Sequence, residues 1–97
     1  MKIIKFSSEF CEPCKFYSPI FSKVVSQMQQ FIKDIEVINI DIDEDNNAGI
    51  IEQYNIHSIP ATVIEDKNGD IVCLKYGALT EQDLKTQLEI AQARDAK

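Results

Sequence analysis

Apolar residues recur with two different periods, and the changes of period divide the chain into elements. Residues 2–6 (Lys-Ile-Ile-Lys-Phe) are β-branched and aromatic and predict a short strand. Ser7-Ser8-Glu9-Phe10 reads as a loop rich in helix-capping residues. From Pro13 to about Lys33, the residues Tyr17, Phe21, Val24, Val25, Met28 and Ile32 fall mostly three or four apart, which predicts an amphipathic helix with one buried stripe. Pro13 suits its first turn, where a missing N–H costs nothing, whereas Pro19 lies inside the stripe and predicts a kink. Residues 36–42 carry Val37, Ile38, Ile40 and Ile42 and predict a second strand. A polar, turn-like stretch (43–47) then leads to a short helix bearing Ile50, Ile51 and Tyr54.

The remainder reads as a hairpin and a helix. Residues 61–64, introduced by Ile59-Pro60, predict a third strand, and residues 71–76 its antiparallel partner. Lys67-Asn68-Gly69-Asp70 joins them and predicts a type I′ turn, because Asn-Gly tolerates positive φ. Thr80-Glu81-Gln82-Asp83 resembles a capping box with Asp in place of the usual Glu, and Leu84, Leu88 and Ala91 give the last helix one apolar face. The order is β-α-β-α-β-β-α. Strand–helix alternation implies parallel pairing and the hairpin adds antiparallel strands, so the expectation is an α/β fold with a four-stranded mixed sheet flanked by helices on both faces.

Size and charge narrow the function. A chain of 97 residues, 44% hydrophobic, buries about two-thirds of its unfolded surface, enough for one core. With no repeat or linker, residues 1–97 read as a single domain. Sixteen acids against ten bases give a net charge of −6, which opposes binding to phosphate backbones, so no nucleic-acid partner is expected. No apolar run approaches the ~20 residues of a membrane span, and the first ten residues lack the apolar core of a secretory signal. A cytoplasmic monomer without membrane contact is the expectation.

Chemistry concentrates at Cys11 and Cys14, two of only three cysteines, set where a strand ends and a helix begins. Thiols at that spacing on a first helical turn come close enough to close a disulfide. Unpaired N–H groups and the positive end of the helix dipole stabilise a thiolate there, making Cys11 the exposed nucleophile and Cys14 the more buried resolving thiol. A C-x-x-C pair also forms half of a zinc site, for which Cys73 and His57 are the remaining ligands, without the second spaced pair such sites use. A purely structural pair is the third option.

Phe10-Cys11-Glu12-Pro13-Cys14-Lys15 resembles the Trp-Cys-Gly-Pro-Cys-Lys active site of the thioredoxin family. The resemblance extends to Pro19, Ile59-Pro60, Lys67-Asn68-Gly69 and Gly77-Ala78-Leu79, in a version lacking the strand and helix that precede the core in ordinary thioredoxins. It implies the thioredoxin fold, with attack by Cys11, resolution by Cys14, and a cis Pro60 facing the disulfide. Phe10, Ile59, Pro60 and Gly77 would line the substrate groove, with Pro13 modulating the cysteine pair. It also implies disulfide-containing protein substrates, a flavin-dependent, thioredoxin-reductase-like electron donor, and no cofactor beyond the redox-active Cys11–Cys14 disulfide.

Five positions depart from the family. Lys5 stands where a buried acid is usual, and Asn39 where the next strand commonly has a lysine. Lys5 is therefore expected either to stabilise the thiolates by its charge, itself held by Asp41, or to reach solvent with its stem packed. Glu12 replaces the glycine between the cysteines and opposes a second negative charge, weakly in solvent. Ser7 and Phe10 replace tryptophans, leaving a less aromatic groove.

Three further features carry bland readings. Asp41-x-Asp43-x-Asp45 with Glu52 imitates a calcium loop, but Asn46 occupies the position that needs Gly, so a solvated strand end is expected. Cys73 reads as a small packed hydrophobe, and His57 as part of the groove rim. The leading expectation is a protein-disulfide reductase. The alternatives are a thioredoxin-fold binding module or accessory subunit that uses the groove without redox chemistry, and a glutaredoxin-like, glutathione-dependent reductase.

Overall fold

A computed structural model describes residues 1–96. Its elements are β1 (Lys2–Ser7), α1 (Glu12–Met28), β2 (Glu36–Asp41), a short 3-10 turn (Asp45–Asn47), α2 (Ala48–Gln53), β3 (Ala61–Glu65), β4 (Ile71–Tyr76) and α3 (Glu81–Asp95). The strands form one mixed sheet in the order β2-β1-β3-β4. β1 runs parallel to β2 and antiparallel to β3, and β3 is antiparallel to β4. The expected order and mixed sheet are thus borne out.

Alternation along β1 sorts side chains between two cores. Ile3 packs on one face with Tyr17, Phe21 and Val24 of α1 and Leu84, Leu88 and Ala91 of α3. Ile4 and Phe6 pack on the other face with Ile40, Tyr54, Ala61 and Val63, where α2 brings Ile50 and Ile51. Lys5 and Ser7 therefore face α1.

The structure corrects two local expectations. α1 ends at Met28, not near Lys33, because Gln30 and Phe31 donate to the carbonyls of Gln27 and Met28, the tighter bonding that closes a helix end. Ile32 still packs in the core from the following turn. The hairpin turn is not type I′, since Gly69 alone has positive φ (84°) and Asn68 does not. The Asp66 carboxylate accepts from the N–H groups of Asn68 and Asp70, while Gly69 N–H donates to the Asp66 carbonyl. That Asx arrangement holds Lys67 and Asn68 at ordinary φ and leaves the left-handed position to Gly69, a three-residue loop. α1 runs unbroken through Pro19, and Thr80 caps α3 as expected, its Oγ1 accepting from Asp83 N–H at 3.1 Å.

Candidate active site

β1 delivers the chain to the start of α1 through residues 8–11. Ser8 holds this passage: its Oγ donates to Asp43 and accepts from Phe10 N–H, and its carbonyl accepts from Cys11 N–H. Cys11 is the N-cap of α1, its Sγ accepting from Cys14 N–H at 3.2 Å, with Pro13 in the first turn. Cys11 and Cys14 form a disulfide with Cα atoms 5.2 Å apart. The pair is asymmetric, because Cys11 is half-buried and Cys14 only 2% exposed.

Around the disulfide, Phe10 stands 80% exposed and Glu12 pairs with Lys15 at 3.3 Å, both in solvent. Such a pair contributes a fraction of a kcal/mol at most. The Ile59-Pro60 bond is cis, as expected, and Pro60 is fully buried. Gly77, at φ 90°, donates its N–H to the Pro60 carbonyl at 2.8 Å, fastening the loop after β4 to the residue before β3. Ala61 pairs with Phe6 and Tyr76, so Pro60 lies at the end of the sheet from which Ser7 leads toward Cys11. His57 stacks on Tyr76 with ring centroids 4.7 Å apart, beside an apolar cleft of about 330 Å³ lined by Ile42, Ile51, Ile56 and Ile59.

Lys5 is buried on the α1 side. Its Nζ donates to Ser18 Oγ at 2.8 Å, not to Asp41 as expected. Asp41 is engaged elsewhere, its Oδ1 accepting from Asp43 N–H at 2.9 Å. Burial lowers the Lys5 ammonium from its ordinary value. Ser18 was not anticipated, although a serine four residues after Cys14 on a helix is placed to bond back to the Cys14 carbonyl, as it does at 3.0 Å. Cys73 is free and buried, and burial pushes its thiol up. Among the described residues no group of three or more His, Cys, Asp or Glu side chains is placed to hold a metal ion.

This arrangement can exchange one disulfide for another: an accessible sulfur at a helix N-terminus, a shielded partner within bonding distance, and an exposed aromatic beside them. Comparison with known proteins agrees. A family model for thioredoxin matches residues 1–90. The chain is 31% identical over 88 residues to a thioredoxin of Buchnera aphidicola, covering 91% of this chain and 75% of that one. It is 32% identical over 87 residues to a thioredoxin of Mycoplasmoides gallisepticum, covering 90% and 80%. In fold it is similar to thioredoxin 1 of Thermosipho africanus, at a TM-score of 0.78 and 21% identity over the whole of both chains. The chain belongs to the thioredoxin family and is a thiol–disulfide oxidoreductase that reduces protein disulfides.

Proposed function

We propose that Cys11 is the attacking thiolate and Cys14 the resolving thiol of this reductase. The observation that carries the assignment is their unequal exposure at the start of α1: the half-buried N-cap sulfur is open to a substrate, whereas Cys14 is 2% exposed. Cys11 attacks a substrate disulfide and releases one substrate thiolate, leaving a mixed disulfide. Cys14 then attacks Cys11 Sγ, the Cys11–Cys14 bond forms, and the second substrate sulfur leaves. Electrons move only between sulfurs, so the step needs no metal or organic cofactor.

Substrate contact is assigned to Phe10, Ile59, Pro60 and Gly77. Support comes from the exposed ring of Phe10 and from the clasp of Gly77 on Pro60 beside the partly exposed Ile59. Glu12 and Pro13 modulate the pair from the first turn. The reading extends to a monomer working in the cytoplasm and recharged by a thioredoxin-reductase-like donor, consistent with the absence, among the described residues, of any helix long and apolar enough to cross a membrane.

Insulin-disulfide reduction tests the assignment. Wild type should be active and Cys11→Ser should fall to the uncatalysed background. Cys14→Ser should accumulate a mixed disulfide through Cys11, seen as a mass increase that reductant removes. An inert wild type would favour a binding module, and trapping by Cys11→Ser through Cys14 would reverse the two roles.

A further inference from the structure

β1 holds a buried lysine that the exchange described so far does not use. Lys5 sits in β1 between Asn39 of β2 and Thr62 of β3, and is 7% exposed. Its Nζ donates to Ser18 Oγ and lies 5.1 Å from the centroid of the Phe21 ring. Ser18 Oγ donates in turn to the Cys14 carbonyl. Two hydrogen bonds in series therefore join a charged side chain to the backbone of the shielded thiol.

The charged and titratable neighbours do not neutralise it. The five ion pairs among the described residues omit Lys5. On α1, Glu12 pairs with Lys15, and the Tyr17 phenol bonds Thr62 of β3. On β2, Asp41 lines an open cleft together with Glu9 of the preceding loop. Across Thr62, β4 contributes another cation, Lys75, and next along it the buried Cys73 thiol. A buried ammonium held only by a hydroxyl and a ring is expensive to retain, and it gains most from an anion that forms nearby.

We propose that the Lys5 ammonium, acting through Ser18 on the Cys14 carbonyl in the first turn of α1, is a positioning residue that favours the Cys14 thiolate in the resolving step. The proposal rests on the exchange reading above. Burial of Cys14 disfavours its charged form, while a cation in the same low-dielectric region and the helix N-terminus oppose that penalty. The Cys14 proton leaves to water in the cleft of about 550 Å³ that Cys14 lines with Ser7, Ser18, Ser22 and Asp41. The thiolate attacks Cys11 Sγ of the mixed disulfide. The Cys11–Cys14 bond forms, the Cys11–substrate bond breaks, and the substrate sulfur departs as a thiolate that takes a proton from water. Two electrons pass from the protein dithiol to the substrate over the cycle. Stabilising a thiolate stabilises the reduced protein, so the same charge makes the pair more oxidising.

Lys5→Met retains the stem and removes the charge. The Cβ chemical shift of Cys14 in the reduced variant should titrate about one pH unit higher than in wild type. Measured above the pH at which Cys14 ionises, the equilibrium with glutathione should move about tenfold toward the protein disulfide, or about 30 mV more negative, and by less below it. Ser18→Ala, which leaves Lys5 in place, should move both readings the same way by less. An unchanged Cys14 titration in a Lys5→Met protein with a wild-type-like amide spectrum overturns the proposal. If Lys5→Met does not fold, an unchanged titration in Ser18→Ala overturns it. The titration is read without substrate: an error about Lys5 leaves insulin reduction by wild type intact, whereas an error about the exchange reading appears as an inert wild type.

Discussion

Lys5 sets stability against chemistry within one side chain. Folding strips its ammonium of water and returns a hydroxyl bond and a ring face, so the folded protein holds that proton more weakly than the unfolded chain. Where the folded group has released its proton and the unfolded one has not, the unfolded chain binds more protons, and stability rises with pH up to the unfolded value of 10.5. Below that window the full penalty is present. Lys5→Met should therefore raise the unfolding free energy at neutral pH by about 1 kcal/mol. Urea unfolding at neutral pH and near pH 10 checks this. The gain should shrink at the higher pH, and a variant less stable than wild type at both would show that the ammonium is well satisfied where it lies. The lysine's strand was readable from its β-branched and aromatic run, but the sequence left its amine either buried or reaching solvent, and its partner was not legible. Asp41 stood on the right face by period two, yet its carboxylate turns to the backbone of its own loop, a local bond that strand alternation does not report.

The β3–β4 hairpin depends on its turn in the same local way. Asp66 gathers the N–H groups of Asn68 and Asp70 on one carboxylate oxygen and Arg94 of α3 on the other, at 3.2 Å. Burial pushes its carboxyl up, but the two N–H groups and the guanidinium outweigh it and hold the group below its ordinary value. The folded protein thus binds this proton more weakly, and the stability Asp66 supplies is present above its unfolded value of 3.8 and is lost as pH falls below it. Asp66→Asn should flatten the acid limb of the stability–pH curve while leaving the neutral fold intact. Gly69→Ala places a Cβ at φ 84°, where nothing lies within 4 Å, so the strain is purely conformational and should cost about 1 kcal/mol in urea unfolding. The hairpin itself was legible, because Asn-Gly between two apolar runs announces one. The turn type was not, because an aspartate three residues before the glycine outvotes the dipeptide preference. The end of α1 was likewise obscured: Ile32 continues the apolar stripe and does reach the core, but from a turn with no Gly or Pro to mark the change.

The two cores are separate, yet each fastens a tyrosine to the same interior strand. On the α1 face Tyr17 Oη lies 2.7 Å from Thr62 Oγ1, and on the α2 face Tyr54 Oη donates to Glu65, so β3 is gripped from both sides. Burial pushes the Tyr17 phenol up to about 12, its bond to Thr62 opposing the shift. The Tyr54 phenol also rises to about 12, by burial and then by donation to a carboxylate. An unfolded tyrosine titrates near 10, so between these values the folded protein binds more protons than the unfolded chain, and stability must fall as pH climbs. Each phenol supplies up to about 2–3 kcal/mol that is lost across that window. Because the two sit in different clusters and share no partner, their losses should add. The buried Cys73 thiol, raised above its ordinary 9.0, contributes in the same direction from slightly lower pH. Wild type should therefore unfold cooperatively on alkaline titration, and in a Tyr76→Phe background, which removes the exposed phenol, the tyrosinate absorbance of Tyr17 and Tyr54 should appear together with loss of helix rather than before it. Tyr54→Phe should flatten the alkaline limb and, at neutral pH, cost about 1–3 kcal/mol by leaving Glu65 without its buried donor. Tyr17→Phe should flatten it similarly at a smaller neutral cost, since Thr62 loses only a hydroxyl partner. A wild-type stability that stays level from pH 9 to pH 12 would mean the phenols ionise without leaving the core, and the grip on β3 would then be looser than its hydrogen bonds indicate.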